Sequence, residues 1–91
     1  MGFQWDARKN ASNREKHGVS FEQACQIFEK PTLERRDERR AEERWVALGH
    51  DHHGTHFVVV YTWRDGDRRI ISAWKAGSND REAYRRAVGE T

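Results

Sequence analysis

The chain has 91 residues, 35% of them apolar, and a net charge of +2 at neutral pH. That length fits one small domain spanning 1–91. One cysteine, Cys25, excludes an internal disulfide. The absence of a membrane-length apolar run or a signal-peptide core leads us to expect a soluble, cytoplasmic chain.

The small net charge hides a bias. Of the 17 cations 13 are arginine, the residue that meets phosphate in a bidentate fork and stacks on bases. Acids gather between Glu34 and Glu43.

Phe3-Gln4-Trp5 reads as a short extended start. Asp6 is a good N-cap for a helix from Ala7 to Lys16, and Gly18 is placed to end it. That helix carries only Ala7 and Ala11 as apolar residues, so it must lean on something else for stability. Ser20 and Gln23 have capping-box spacing, with Val19 and Ala24 as a hydrophobic staple. Phe21, Ala24, Cys25 and Phe28 then follow helical spacing up to Lys30, before Pro31. On that face Cys25 reads as a small buried hydrophobe rather than a nucleophile.

Thr32–Arg36 has the look of a short edge strand, and the charge-dense stretch after it, to Glu43, of a solvated loop. Arg44–Gly49 and His56–Trp63 are strands joined by the turn Asp51-His52-His53-Gly54. The second is apolar on both faces, the mark of a central strand. Asp65-Gly66-Asp67 turns the chain into a return arm, Arg69–Ala76. Simple alternation sets Arg69, Ile71, Ala73 and Lys75 on one face of that arm. Ile70, Ser72, Trp74 and Ala76 fall on the other. A last helix runs from about Asn79 to Val88 and docks Tyr84, Ala87 and Val88 on the sheet. The expectation is an α+β domain: an N-terminal strand and two helices, an antiparallel meander and a C-terminal helix.

His50, His52, His53 and His56 surround a hairpin tip. Zinc needs fixed ligands on rigid supports with a second shell, so a polar tip is the better reading and no metal or other cofactor is expected. Lys16-His17-Gly18 places a cation and an imidazole at a helix C-terminus, where plain C-capping competes with a functional role. RNA cleavage without a metal needs a base for the 2′-hydroxyl, an acid for the leaving 5′-oxygen, and cations for the charge between them. His17, Glu43 and Tyr84 are candidate acid–base groups, and Lys16, Arg44, Arg64, Arg69 and Lys75 candidate cations. Phosphate-loop, dinucleotide and serine-elbow motifs are absent.

Several blocks in order resemble one family: Phe3-x-Trp5-Asp6, Asn13-x-x-Lys16-His17-Gly18-Val19-Ser20-Phe21-Glu22-x-Ala24, Phe28-x-x-Pro31, Glu43-Arg44, Leu48-Gly49 and Arg69-Ile70-Ile71-Ser72-Ala73. They are similar to the BrnT toxins, themselves RelE-like ribonuclease toxins of type II toxin–antitoxin systems. The resemblance implies a RelE-like fold and a metal-independent endoribonuclease that inhibits translation. It implies a BrnA-like ribbon-helix-helix antitoxin as partner, RNA as substrate, and contact with operator DNA only through the antitoxin complex. It carries the catalytic set over to Lys16, His17, Glu43, Arg64, Arg69 and Tyr84, with Ser72 in support. From their own chemistry Arg44, Trp74 and Lys75 are expected on the RNA beside Ser72. One position departs from the pattern: the family commonly continues with arginine where this chain has Trp74. The alternative expectation is therefore a catalytically weakened module that binds its antitoxin and acts through an autorepressing, DNA-binding complex. A plain RNA-binding domain without cleavage is a third.

Overall fold

Local capping decides the first third of the chain in its computed structural model, which describes residues 2–38 and 42–89. A two-residue strand, β1 (Phe3–Gln4), leads into α1 (Ala7–His17). The Asp6 carboxylate accepts from the backbone N–H groups of Arg8 and Lys9 at 2.8 and 3.3 Å. Gly18 closes the helix at φ 69°, a left-handed geometry that glycine adopts without steric cost. The Ser20 hydroxyl accepts from the Gln23 N–H and starts α2 (Phe21–Ala24).

The expected helix to Lys30 is only one α-turn long. It tightens to a 3₁₀ helix over Cys25–Glu29. Residues two apart are separated by about 200° in an α-helix and about 240° in a 3₁₀ helix. The tighter winding brings Cys25 and Ile27 nearer one side, and both are buried.

Four longer strands follow: β2 (Leu33–Asp37), β3 (Arg44–His50), β4 (His56–Arg64) and β5 (Asp67–Lys75), then α3 (Ser78–Val88). They form a sheet in the order β1-β5-β4-β3-β2, with β1 parallel to β5 and every other pair antiparallel. The expected edge strand is present as β2. Part of the loop expected after it, residues 39–41, lies outside the described residues. The β4–β5 turn has positive φ at both central residues, Asp65 at 54° and Gly66 at 83°. That is the tight hairpin turn whose twist matches the strands.

Each face of β4 carries a core. Phe57, Val59 and Tyr61 pack with Phe21, Ala24, Ile27 and Ile70 under α2 and the 3₁₀ helix. Val58 packs with Leu48, Ala76 and Tyr84 under α3. Burying each of the larger side chains contributes about 1.5–3 kcal/mol.

The alternation expected in β5 breaks. Val60 pairs with Ser72 but Tyr61 pairs with Ile70, so Ile71 is an extra, bulged residue. Cross-strand partners share a face. Arg69, opposite Thr62, therefore joins Ser72 and Trp74 on the α3 face. Arg68, Ile70, Ala73 and Lys75 take the α2 face. The expectation that Lys75 shares a face with Arg69 is corrected by that one residue.

The polar helix α1 is held by amides instead of an apolar stripe, for Ala7 and Ala11 are both exposed. Asn10 accepts from the Phe21 N–H at 2.9 Å and donates to Glu22 at 2.8 Å. One turn on, buried Asn13 donates to the carbonyls of Val19 and Ala73 at 2.9 and 2.7 Å and accepts from the Ala73 N–H at 3.1 Å. Its side chain thus pairs with the outer edge of β5 as a neighbouring strand would, and satisfies that edge.

At the β3–β4 tip the fully buried Asp51 carboxylate accepts from the His53 and Thr55 N–H groups, both at 2.9 Å, and from the Gln23 amide at 3.1 Å. At the last helix, Gly77 is the N-cap and gives no side-chain bond, so α3 starts at Ser78 without the expected box from Asn79. Tyr84 is buried and Val88 half-buried, while Ala87, expected to dock, is exposed. No helix among the described residues is long and apolar enough to cross a membrane.

Candidate functional site

The α3 helix covers one end of its sheet face and leaves the rest open. Strand register orders that open face in rows. Arg35, Val46, Val60 and Ser72 lie side by side across the strands. Thr62 and Arg69 are paired in the next row, where Asp37 and Arg44 are also paired on β2 and β3. Arg64, paired with Asp67, ends the face at the hairpin turn. By β4 alternation it points to the same side as Thr62.

The end of α1 reaches this face along the β5 edge. Lys16 and His17 line a shallow cleft of about 220 Å³ with Lys9, Ser12, Ile71 and Ser72. The His17 ring lies 6.2 Å from the Trp74 ring. The bulge at Ile71 is what brings Arg69 onto the same face as Ser72 and Trp74. Bulges often serve to re-aim side chains beside functional sites.

Lys16, His17, Ser72 and Trp74 are therefore brought together, with Arg69 and Arg64 on the same open face toward the hairpin turn. Among the described residues Lys16, Arg64 and Arg69 make no ion pair within 4 Å, so their charges remain available to an anion. Arg69 also acts at a distance on Asp6. The Arg8 and Lys9 amides chiefly hold that carboxyl below its ordinary value; desolvation opposes them, and the Arg69 and Arg8 charges add to the lowering. Arg44 is half-buried on the same face, with Glu42 3.4 Å away.

Three other candidates stand elsewhere. Tyr84 is 2% exposed, donates a hydrogen bond from its hydroxyl to the Pro31 carbonyl at 2.7 Å, and packs edge-on against the adjacent rings of His50 and His56. The Glu43 carboxylate binds Arg36 at 3.0 Å, and Arg36 is opposite Trp45 on the α2 face. Lys75 is exposed on that same face. His52 turns to Glu29 at 2.9 Å. No group of three or more His, Cys, Asp or Glu side chains among the described residues is placed to hold a metal ion.

Asn13 stood in the sequence only as the first residue of a motif, with no role, yet it fixes the helix that presents Lys16 and His17. The available signal was an asparagine within a helix that has no apolar stripe, since such a helix needs polar anchors.

A five-stranded α+β domain with an open, arginine-lined face and a Lys-His pair at its rim defines a small protein suited to a polyanion. Residues 5–80 match the profile of a family described as "Ribonuclease toxin, BrnT, of type II toxin-antitoxin system", and the chain belongs to that family. Membership of a type II system implies a protein antitoxin as partner. The fold is that of the Brucella abortus ribonuclease toxin BrnT, solved by crystallography at 1.1 Å. The TM-score is 0.60 at 21% sequence identity, over 86% of this chain and 99% of that one. No match was found among curated proteins.

Proposed function

We propose that this chain is an endoribonuclease toxin that cleaves RNA without a metal ion and so stops translation. The observation that carries the reading is the meeting of Lys16 and His17 with Ser72 and Trp74 at the β5 bulge, on the same face as Arg69 and Arg64. In the reaction the 2′-oxygen bonds to phosphorus as the bond from phosphorus to the 5′-oxygen breaks, leaving a 2′,3′-cyclic phosphate. His17 takes the proton from the 2′-hydroxyl and delivers it to the departing 5′-oxygen, and Lys16 and Arg69 stabilise the charge that builds on the phosphoryl oxygens. Arg64 and Arg44 track neighbouring phosphates, Ser72 supports the site and Trp74 stacks on a base. Tyr84 and Glu43 take packing and ion-pairing roles in this reading, and Lys75 serves the opposite face.

The partner in this reading is a BrnA-like ribbon-helix-helix antitoxin that neutralises the toxin and carries the complex to operator DNA. The test is induction of the chain alone in a bacterial host, following growth and total RNA, with Arg69→Ala beside it. Growth arrest with RNA fragmentation, both lost in Arg69→Ala, is the expected result. Normal growth and intact RNA from a folded, soluble chain would instead favour a module that only binds its antitoxin. The indole at position 74, where the family pattern commonly has arginine, is what keeps that second reading in play.

A further inference from the structure

Between α3 and the open sheet lies a groove of about 430 Å³. Its floor includes Val46, Val58 and Val60, Trp74 lines it from β5, and Asp80 and Ala83 line it from α3. Pockets for small molecules span about 300–1,000 Å³, so there is room for one purine. Trp74 belongs at once to this groove and, through His17, to the cleft described above. A nucleotide whose phosphate lies at Lys16 and Ser72 therefore has the groove within reach of its own or its neighbour's base.

The polar groups of the groove narrow the choice of base. Glu34 is occupied by the hydroxyls of Tyr61 and Thr32, and Asp37 is buried. Exposed Arg35 can only donate, and serves a phosphate or a base acceptor such as guanine O6. Asp80 is exposed and makes no hydrogen bond or ion pair among the described residues. A carboxylate only accepts hydrogen bonds, and it repels phosphate. Guanine alone among the four bases presents two adjacent donors, N1–H and the 2-amino group, on its Watson–Crick edge. Adenine, cytosine and uracil would each set at least one acceptor against the carboxylate.

We propose that the groove under α3 is a guanine subsite, with the base stacked on Trp74 and its Watson–Crick edge held by Asp80. The proposal rests on the RNA-cleaving reading above and gives that site its sequence preference. Splayed single-stranded bases are recognised in this way, by an aromatic face and an edge contact. The neighbouring cations hold the backbone whatever the sequence.

The test is binding of 2′-O-methyl oligonucleotides, which lack the attacking hydroxyl and stay intact. Five-residue oligouridines with a central guanine, hypoxanthine, adenine or cytosine are compared by fluorescence anisotropy. Guanine should bind about tenfold more tightly than adenine or cytosine, within the discrimination of one good bidentate pair. Hypoxanthine, without the 2-amino group, should fall between. Asp80→Asn should bring all four within about twofold, since an amide oxygen beside an amide N–H cannot accept both donors. Ala83→Leu, which fills the groove wall, should abolish the preference by a separate route. Equal binding of the four, no binding of any, or a guanine preference that survives Asp80→Asn would overturn the subsite. Growth arrest and RNA fragmentation report on catalysis separately, so failure of one reading is not mistaken for failure of the other.

Discussion

Replacing Asn13 with alanine removes the amide that pins α1 to the sheet. Three hydrogen bonds go at once: to the carbonyls of Val19 and Ala73, and from the Ala73 N–H. Each buried backbone group left without a partner costs about 1–3 kcal/mol, reduced where water can enter. Alanine recovers about 0.5 kcal/mol through its better helix propensity. The net loss should be about 2–4 kcal/mol, a large share of the roughly 5–15 kcal/mol typical of a domain. At about 4–8 °C per kcal/mol for a chain of this size, Tm should fall by about 8–32 °C. Urea unfolding at pH 7 gives the free energy, and amide exchange at Ala73 shows whether the loss is local. The exposed neighbour Ser12→Ala should stay within about 0.5 kcal/mol of the parent. RNA cleavage by folded Asn13→Ala should drop as well, because Lys16 and His17 lose their fixed position against Ser72. An Asn13→Ala chain within about 0.5 kcal/mol of the parent, with Ala73 still protected, would refute the reasoning.

Gly49 has no room for a methyl group: a Cβ there would stand 2.9 Å from the Ile27 Cβ and 3.2 Å from the Thr32 Cγ2. Gly49→Ala should cost about 1–3 kcal/mol in urea unfolding. Burial pushes the Cys25 thiol up to about 12, Glu22 adds to this and Arg68 opposes it. Ellman's reagent at pH 8 should therefore leave the folded chain untouched and titrate one thiol in denaturant. Burial alone would raise the Asp51 carboxyl, but its bonds from Gln23, Thr55 and His53 outweigh that and hold it below its ordinary value. Its contribution is present above the unfolded pKa of about 3.9 and is lost as pH falls through the lower folded value. Asp51→Ala should thus be less stable than the parent at pH 7, with a gap that narrows on acidification in a pH series of urea titrations.

Short-range signals were legible wherever a side chain acts on its own backbone. Asp6, Gly18, Ser20 and the Asp65-Gly66 turn satisfy or bend the chain within a few residues, so sequence alone located those boundaries. The two-faced apolar pattern of β4 likewise marked the central strand. What the sequence hid depends on partners far along the chain. Ile71 looks like any strand residue, and its bulge exists only in the pairing of β5 with β4. Tyr84 offers an acidic hydroxyl on paper, yet that hydroxyl donates its hydrogen bond to the Pro31 carbonyl, 53 residues away. Glu43 is claimed by Arg36 from the neighbouring strand. Of the candidate site, the Lys16-His17 end and the Arg69-Ser72 strand were readable as a motif. The face on which each side chain falls was not.

The bulge works as a phase shifter. The first half of β5 is read one residue out of step with the second, and this sets which of two neighbouring arginines takes which side of the sheet. Arg68 is stacked at 4.2 Å over Phe28, near Tyr61 and Trp63, on the helix-covered side. Arg69 goes to the open side. Deleting the single residue at 71 would restore even alternation with Ile70 still opposite Tyr61 and Arg69 still opposite Thr62, so both arginines would hold their faces. Straightening the strand with residue 71 kept is what would exchange them: Ile71 would pair with Tyr61, and Arg69 would fall opposite Trp63, into the aromatic stack.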